Sequence, residues 1–246
     1  MITRNYEFAG RVIGVSSQYE TVHNYCADYR TEEEPDFAVM ISQADIDYER
    51  KKSADENRLA GLTAREHSDG YLEELAVYRK IAEKMPEYDT ILFHGSVVAV
   101  DGEAYMFTAK SGTGKSTHTR LWRELFGDRA VMVNDDKPLL HIGDTVTAYG
   151  TPYDGKHRLS SRIAVPLKAV CILTRAAENH IIQITKAEAY TMLVQQAYRP
   201  ADMSALQRTM TLIDKLADAV KLYRIGCNMD ISAAKVAYDG MNDVNI

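Results

Sequence analysis

Hydrophobic and polar positions change period several times along the chain, and each change marks an element. Near the N-terminus, Tyr6–Val15 and Asp36–Ile41 are short β-like runs, so residues 1–44 predict a small sheet or flap. Residues 45–65 are polar and charged without a dominant period, and fit strand, exposed helix or loop equally. From Tyr71 to Met85, Leu72, Leu75, Tyr78, Ile81 and Met85 keep helical spacing, with Asp69 placed to cap the start and Pro86 following the end. Thr90–Val100 and Glu103–Thr108 are mostly apolar strands joined by Asp101 and Gly102, a two-residue hairpin signal.

Beyond a glycine-rich stretch, Ser116–Phe126 predicts a helix with Leu121, Trp122, Leu125 and Phe126 on one face, stopped by Gly127. Ala130–Val133 reads as a buried strand, and Leu139–Ala148 as a second hairpin turning at Gly143 and Asp144. Leu167–Thr174 and His180–Ile184 are two more strands. Helices over Ala187–Ala197 and Ser204–Ala219, a strand over Lys221–Ile225 and a helix from Ser232 complete the chain.

An antiparallel strand therefore feeds the glycine-rich loop. Parallel dinucleotide and P-loop folds reach that loop through a βαβ unit instead, so a mixed sheet is implied. The expected fold class is α/β: a P-loop core with a mixed, partly antiparallel sheet flanked by helices, plus a small N-terminal α+β segment. The expected boundary separates residues 1–85, which could select an acceptor, from a catalytic domain over residues 86–246.

Composition narrows the classes. Across 246 residues, 26% are charged and 46% hydrophobic, the balance of an ordinary folded globular chain. A formal net charge of −6 without a basic block argues against a nucleic-acid partner. The acidic run Thr31–Asp36 reads as a solvated loop. Cys26, Cys171 and Cys227 are odd in number and lack a CxxC, so reduced thiols and a cytoplasmic location are expected rather than disulfides or zinc. No apolar run reaches about 18 residues and the N-terminus lacks a leader pattern, so no membrane partner is expected.

The chemistry is concentrated in Ala109–Ser116, AKSGTGKS. Glycines in such a loop let backbone N–H groups close around phosphate oxygens, the lysine supplies a point charge, and the following hydroxyl a magnesium ligand. Ser111, Gly112, Thr113, Gly114, Lys115, Ser116 and Thr117 are accordingly candidate nucleotide-binding residues, although Ala109 stands where the general pattern has its first glycine. Asp135 and Asp136 follow an apolar run downstream, where phosphoryl transfer places its carboxylates. In Gly150–Arg158, GTPYDGKHR, turn residues precede Lys156, His157 and Arg158; these could fold over a nucleotide, with Arg158 stabilising transferred charge. Trp122 reads as a core residue rather than a base-stacking one.

From His94 to Asp136 the order of His-Gly, hairpin, SGTGKS and Asp-Asp resembles the catalytic core of HPr kinase/phosphorylase. The loop string is also similar to that of ATP-dependent phosphoenolpyruvate carboxykinase, which shares that fold. The resemblance implies an ATP- and Mg2+-dependent phosphotransferase. By position it makes Asp135 the general base, Asp136 a magnesium ligand beside Ser116, and His94 a neighbour of the base. Adjacent acids on a strand point opposite ways, so base and ligand could be exchanged. No counterpart of that family's LExRG-type segment follows the acids, although Asp154 could stand in for its carboxylate, and residues 1–85 do not resemble its N-terminal domain. Phosphorylase activity, hexameric assembly and HPr as acceptor are thus left open.

Three readings follow. The leading one is a kinase acting on a hydroxyl, either a serine of a small protein or peptide or a small-molecule alcohol. A small carboxykinase-like enzyme is the second. The third, from a different class, is a nucleotide sensor or scaffold without turnover.

Overall fold

A computed structural model describes residues 1–59, 61, 63 and 66–242. The chain divides into two compact units, Met1–Lys84 and Met85–Ile246.

In the first unit, strands β1 (Ile2–Phe8) and β2 (Arg11–Ser17) form an antiparallel hairpin. Helix α1 (Glu20–Tyr25) follows, then β3 (Arg30–Thr31) and β4 (Phe37–Met40), giving a sheet ordered β3-β1-β2-β4. Two helices complete it, α2 (Gln43–Leu59) and α3 (Asp69–Lys84). The polar stretch left undecided in sequence is therefore helical as far as Leu59; Gly61 and Thr63 are not helical, and residues 60, 62, 64 and 65 lie outside the described residues. Helix α2 buries only Ile46 and Glu49, and ion pairs hold it to α3: Arg79 reaches Glu49 at 2.6 Å and Asp45 at 3.1 Å. A helix polar on nearly every side shows no period in its sequence.

Helix α3 is capped differently from the expectation. Ser68 Oγ accepts from the Tyr71 N–H at 3.3 Å, while Asp69 is drawn to Arg50. The face it buries is Leu72, Ala76, Val77 and Ile81, leaving Leu75 and Tyr78 half-buried.

The second unit is built on a mixed sheet. Its strands are β5 (Thr90–Leu92), β6 (Ser96–Val100), β7 (Glu103–Thr108), β8 (Ala130–Asn134), β9 (Leu139–Ile142), β10 (Val146–Tyr149), β11 (Ala164–Arg175), β12 (His180–Gln183) and β13 (Lys221–Cys227). The main path runs β5-β9-β10-β11-β7-β6-β8, with β13 also joining β11 and β12 pairing β13. Strands β7, β11 and β13 are mutually parallel, whereas β6 is antiparallel to both β7 and β8. This is the mixed architecture the hairpin implied.

Alternate residues feed two cores. Val97, Met106, Val170 and Ile172 pack with Leu193, Ile213 and Leu216 of α5 (Lys186–Gln196) and α6 (Met203–Ala219). Val98, Phe107, Cys171 and Leu173 pack with Trp122 of α4 (Lys115–Phe126) and Ala234 of α7 (Ser232–Met241). Burial on both faces explains why β6 and β7 read as nearly unbroken apolar runs. Each fully buried large side chain contributes roughly 1.5–3 kcal/mol.

One expectation is corrected here. Thr90–Val100 is two strands in different places, because β5 pairs β9 while β6 pairs β7 and β8. The connecting N–H groups leave the ladder: Phe93 donates to Pro138 O, His94 to Gln196 O and Gly95 to Asp136 O, at 2.8–3.1 Å. That crossing brings His94 to the edge of the sheet at which β7 and β8 end.

Candidate active site

Strand direction assembles the site. Because β6 runs opposite to β7 and β8, its start lies at the same edge of the sheet as their ends. His94 precedes β6, the loop leaves β7, and the two acids leave β8. Residues distant in sequence thus meet around a cleft of about 420 Å³ lined by His94, Lys115, Ser116, Asp135, Asp136 and His157, among others.

Gly112 (φ +76°) and Gly114 (φ +126°) adopt backbone angles that L side chains rarely take, and α4 begins directly after them. Its first-turn N–H groups and the positive end of its dipole suit an anion. Ala109 is buried in the core and is not among the left-handed positions, so a glycine is not needed there. Lys115 arches back to the Ala109 carbonyl at 3.2 Å. Burial lowers its ammonium pKa, the Asp136 charge opposes that, and Lys137 adds to the lowering. Arg175 donates to the Gly112 carbonyl at 2.6 Å and to the Thr113 carbonyl at 3.3 Å, fixing the loop's outer turn.

Strand β8 ends at Asn134, so the two acids sit in a turn and have different partners. Asn134 Oδ1 accepts from the N–H groups of Asp136 and Lys137 at 2.9 and 2.6 Å, while its amide donates to Thr151. Asp135 is buried and accepts from Ser96 Oγ at 2.6 Å, and it lines the cleft together with Ser116. Burial raises its pKa; the hydroxyls of Ser96 and Ser116 and the nearby His157 oppose that. Asp136 instead meets Lys137 Nζ at 2.7 Å and His94 Nε2 at 3.4 Å. On its other side His94 Nδ1 lies 2.7 Å from Gln196 Oε1. Burial lowers the His94 pKa, Lys115 and Lys137 lower it further, and Asp136 opposes them.

Not every candidate reaches the cleft. Lys156 and His157 line it, but Arg158 does not and lies 3.4 Å from Asp154. Asp154 is buried, accepts from Ser160 at 2.9 Å, and has its pKa raised by burial, with Asp135 adding to the rise. Among the described residues, no group of three or more His, Cys, Asp or Glu could hold a metal by itself. Ser96, Asn134, Gln196 and Arg175 were missed from sequence. Only Asn134, beside the acids as a turn-forming residue, carried a local signal.

All three cysteines are free thiols, and no helix among the described residues is long and apolar enough to cross a membrane. No curated protein matches the chain. A solved structure titled the Hpr(Ser) kinase/phosphatase from Coxiella burnetii is similar over 63% of this chain and 99% of its own, at 7% identity and a TM-score of 0.35. The model of a family described as SynChlorMet cassette protein ScmC matches residues 69–240, which span α3, the loop, both acids and the whole mixed sheet. By that match, extending over more than half of its length, the chain belongs to the ScmC family.

Proposed function

We propose that this chain is an ATP- and magnesium-dependent kinase that transfers the γ-phosphoryl group to a hydroxyl acceptor, in the cytoplasm. One observation carries the reading: Lys115 and Ser116 share a cleft with two acids that have different partners, Asp135 on Ser96 and Asp136 on His94 and Lys137. Phosphoryl transfer needs such a division, one acid for the metal and one for the nucleophile.

The donor set fits magnesium. Ser116 and Asp135 line the same cleft as Lys115 and offer a hydroxyl and a carboxylate, the hard oxygens that magnesium takes. Magnesium there would neutralise charge on the β- and γ-phosphates, with waters and phosphate oxygens completing its shell. This exchanges the roles expected from the family resemblance: Asp135 is the metal carboxylate and Asp136 the base.

The chain's own residues do the rest. Backbone N–H groups of Gly112–Ser116 cradle the phosphates, and Lys115 holds the terminal ones in line. Asp136 takes the acceptor's proton as its oxygen bonds to the γ-phosphorus. The bond from that phosphorus to the β–γ bridging oxygen breaks, and its electron pair stays with ADP. His94 Nε2 stands beside Asp136 to receive the proton onward. Lys156 and His157 cover the cleft and offset charge on the transferred group. The acceptor is a serine of a small protein or peptide, or a small alcohol.

Mass spectrometry after incubation with ATP and magnesium tests the proposal, with wild type, Asp135→Asn and Asp136→Asn against small alcohols, HPr and a bacterial lysate. A phosphorylated product lost in both variants is expected. Tight ATP binding without product from any acceptor would replace the kinase with a nucleotide sensor or scaffold.

A further inference from the structure

Strand β11 outruns its neighbour β7. The two pair in parallel as far as Ile172 against Thr108, where the glycine-rich loop departs, and β11 then continues to Arg175. At about 3.3 Å per residue, that extension carries Arg175 roughly 10 Å past the end of β7, level with the loop. Its backbone is held on β13, where Arg175 pairs with Cys227 and the Ala176 N–H donates to the Cys227 carbonyl at 3.0 Å.

The guanidinium meets the loop from behind. Arg175 shares walls with Gly112 and Thr113 on that side and does not line the cleft. Its Nη2 donates to the Gly112 carbonyl at 2.6 Å and its Nε to the Thr113 carbonyl at 3.3 Å, so one edge of the planar fork holds two consecutive peptides. No described peptide bond is cis, and in a trans unit the C=O and N–H point opposite ways. A Thr113 carbonyl turned to Arg175 therefore turns the Gly114 N–H away from it, and Gly114 lines the cleft. The Gly112 carbonyl likewise turns the Thr113 N–H away, to close a turn onto the Lys110 carbonyl at 3.3 Å.

The loop's own residues do not fix that orientation. Gly112 and Gly114 stand on either side of Thr113, and glycine takes either sign of φ at little cost, so both peptides can turn over. A reversed Thr113–Gly114 peptide would present its carbonyl to phosphate oxygens in place of an N–H. We propose that Arg175 is a positioning residue for the phosphate loop: its fork selects the peptide orientation that aims the Gly114 N–H at the phosphate chain of the donor. The inference rests on the nucleotide reading above and adds what keeps the loop in its binding form. Arg175 touches no phosphate itself and acts through the two peptides it holds. Lysine cannot substitute, because an ammonium lacks the planar pair of donors.

The full-length chain, as wild type, Arg175→Ala and Arg175→Lys, is titrated with magnesium and either ATP or inorganic tripolyphosphate. Calorimetry follows binding, and NMR of the 15N-labelled chain follows the Gly114 amide. Both ligands are expected to bind wild type and to weaken by the same factor, at least about tenfold, in each variant. Tripolyphosphate should shift the Gly114 amide in wild type and lose that effect in the variants. Guanidinium at a non-denaturing concentration should restore tripolyphosphate binding to Arg175→Ala, where equal sodium chloride does not, a rescue that a general loss of structure would not show. Arg175→Lys keeps the charge and the stem, so it carries the test should Arg175→Ala fail to fold. Wild-type affinity for tripolyphosphate in the variants would overturn the positioning role while leaving the phosphate loop intact. Weakening of ATP alone would also overturn it, because Arg175 would then be a contact of the nucleoside. Binding of neither ligand to wild type would overturn the nucleotide reading, and the positioning role with it.

Discussion

Ser96 Oγ donates to Asp135 Oδ1 across 2.6 Å, and the same hydroxyl lies 2.9 Å from Thr119 Oγ1. The pair ties the start of β6 to the end of β8, with the helix that follows the loop closing the chain of hydroxyls. It also holds a carboxylate where burial disfavours its charge.

Asp135→Asn should therefore stabilise the ligand-free protein while abolishing phosphoryl transfer. A carboxyl whose folded pKa is raised binds protons more readily folded than unfolded, so its ionised form opposes folding above the unfolded pKa. The amide keeps an acceptor for Ser96 and removes the buried charge. Calorimetry should show a higher Tm for the variant, with turnover at least about 100-fold lower. A lower Tm would mean that the charge is better satisfied than its surroundings indicate.

The Asp136–His94 pair predicts a pH profile. Burial and two lysines lower the His94 pKa, so the imidazole is neutral at neutral pH and can receive a proton from Asp136. Turnover should fall on the acid side as His94 becomes charged, below the usual histidine range. His94→Gln should remove that limb and lower kcat about 10- to 100-fold, with little change in nucleotide affinity. Gln196→Ala should move the limb, because Gln196 orients the ring from 2.7 Å. An unchanged profile in both variants would exclude the relay.

The hairpin, loop, following helix and acids were legible because each rests on local signals: period, turn residues and glycine spacing. What was hidden depends on contacts between distant segments. Nothing near His94 announces Gln196, which the end of α5 delivers, and nothing near Asp135 singles out Ser96, which the antiparallel pairing of β6 with β8 delivers. The break at Phe93–Gly95 was hidden because apolar residues continue through it while their backbone partners change. Helix α2 was hidden for the opposite reason, because ion pairs rather than an apolar stripe hold it.

His118 predicts an acid weakness of the nucleotide- and metal-free fold. Burial lowers its pKa to about 4, whereas the unfolded imidazole titrates near about 6.5. The unfolded state then binds the proton first, so stability is full above about pH 6.5, declines as pH falls, and levels off below about pH 4. The loss from this group is about 3 kcal/mol. His118→Phe removes it, so urea unfolding from pH 7 to 4 should show the stability difference between wild type and variant shifting by that amount. A constant difference would mean that His118 is accessible to protons when folded.

Gly150 connects the fold to the site more directly than any loop glycine, because its requirement is space rather than an unusual backbone angle. A Cβ there would lie 1.9 Å from the Ser161 carbonyl oxygen and 2.7 Å from that of Val133. Both are backbone atoms in adjoining segments, and the Ser161 N–H donates to Val133 O at 3.2 Å. Neither can turn aside as the end of a flexible side chain could, so Gly150→Ala must push the 160–163 segment away from β8. Val133 and Asn134 end that strand immediately before the two acids, and Asn134 also forms a bridge with Ser160. The displacement should therefore reach the cleft. Gly150→Ala is expected to lower unfolding stability by about 3 kcal/mol or more, at the upper end for overpacking. It should also reduce phosphoryl transfer in whatever protein remains folded. Gly143→Ala is the control, since its Cβ would press only on the end of the His141 ring, at 3.1 Å, and meet the Thr145 carbonyl at an ordinary 4.0 Å, and it should leave transfer near wild type. Similar losses in both variants would show that the approach of Gly150 to Ser161 and Val133 does not position the acids.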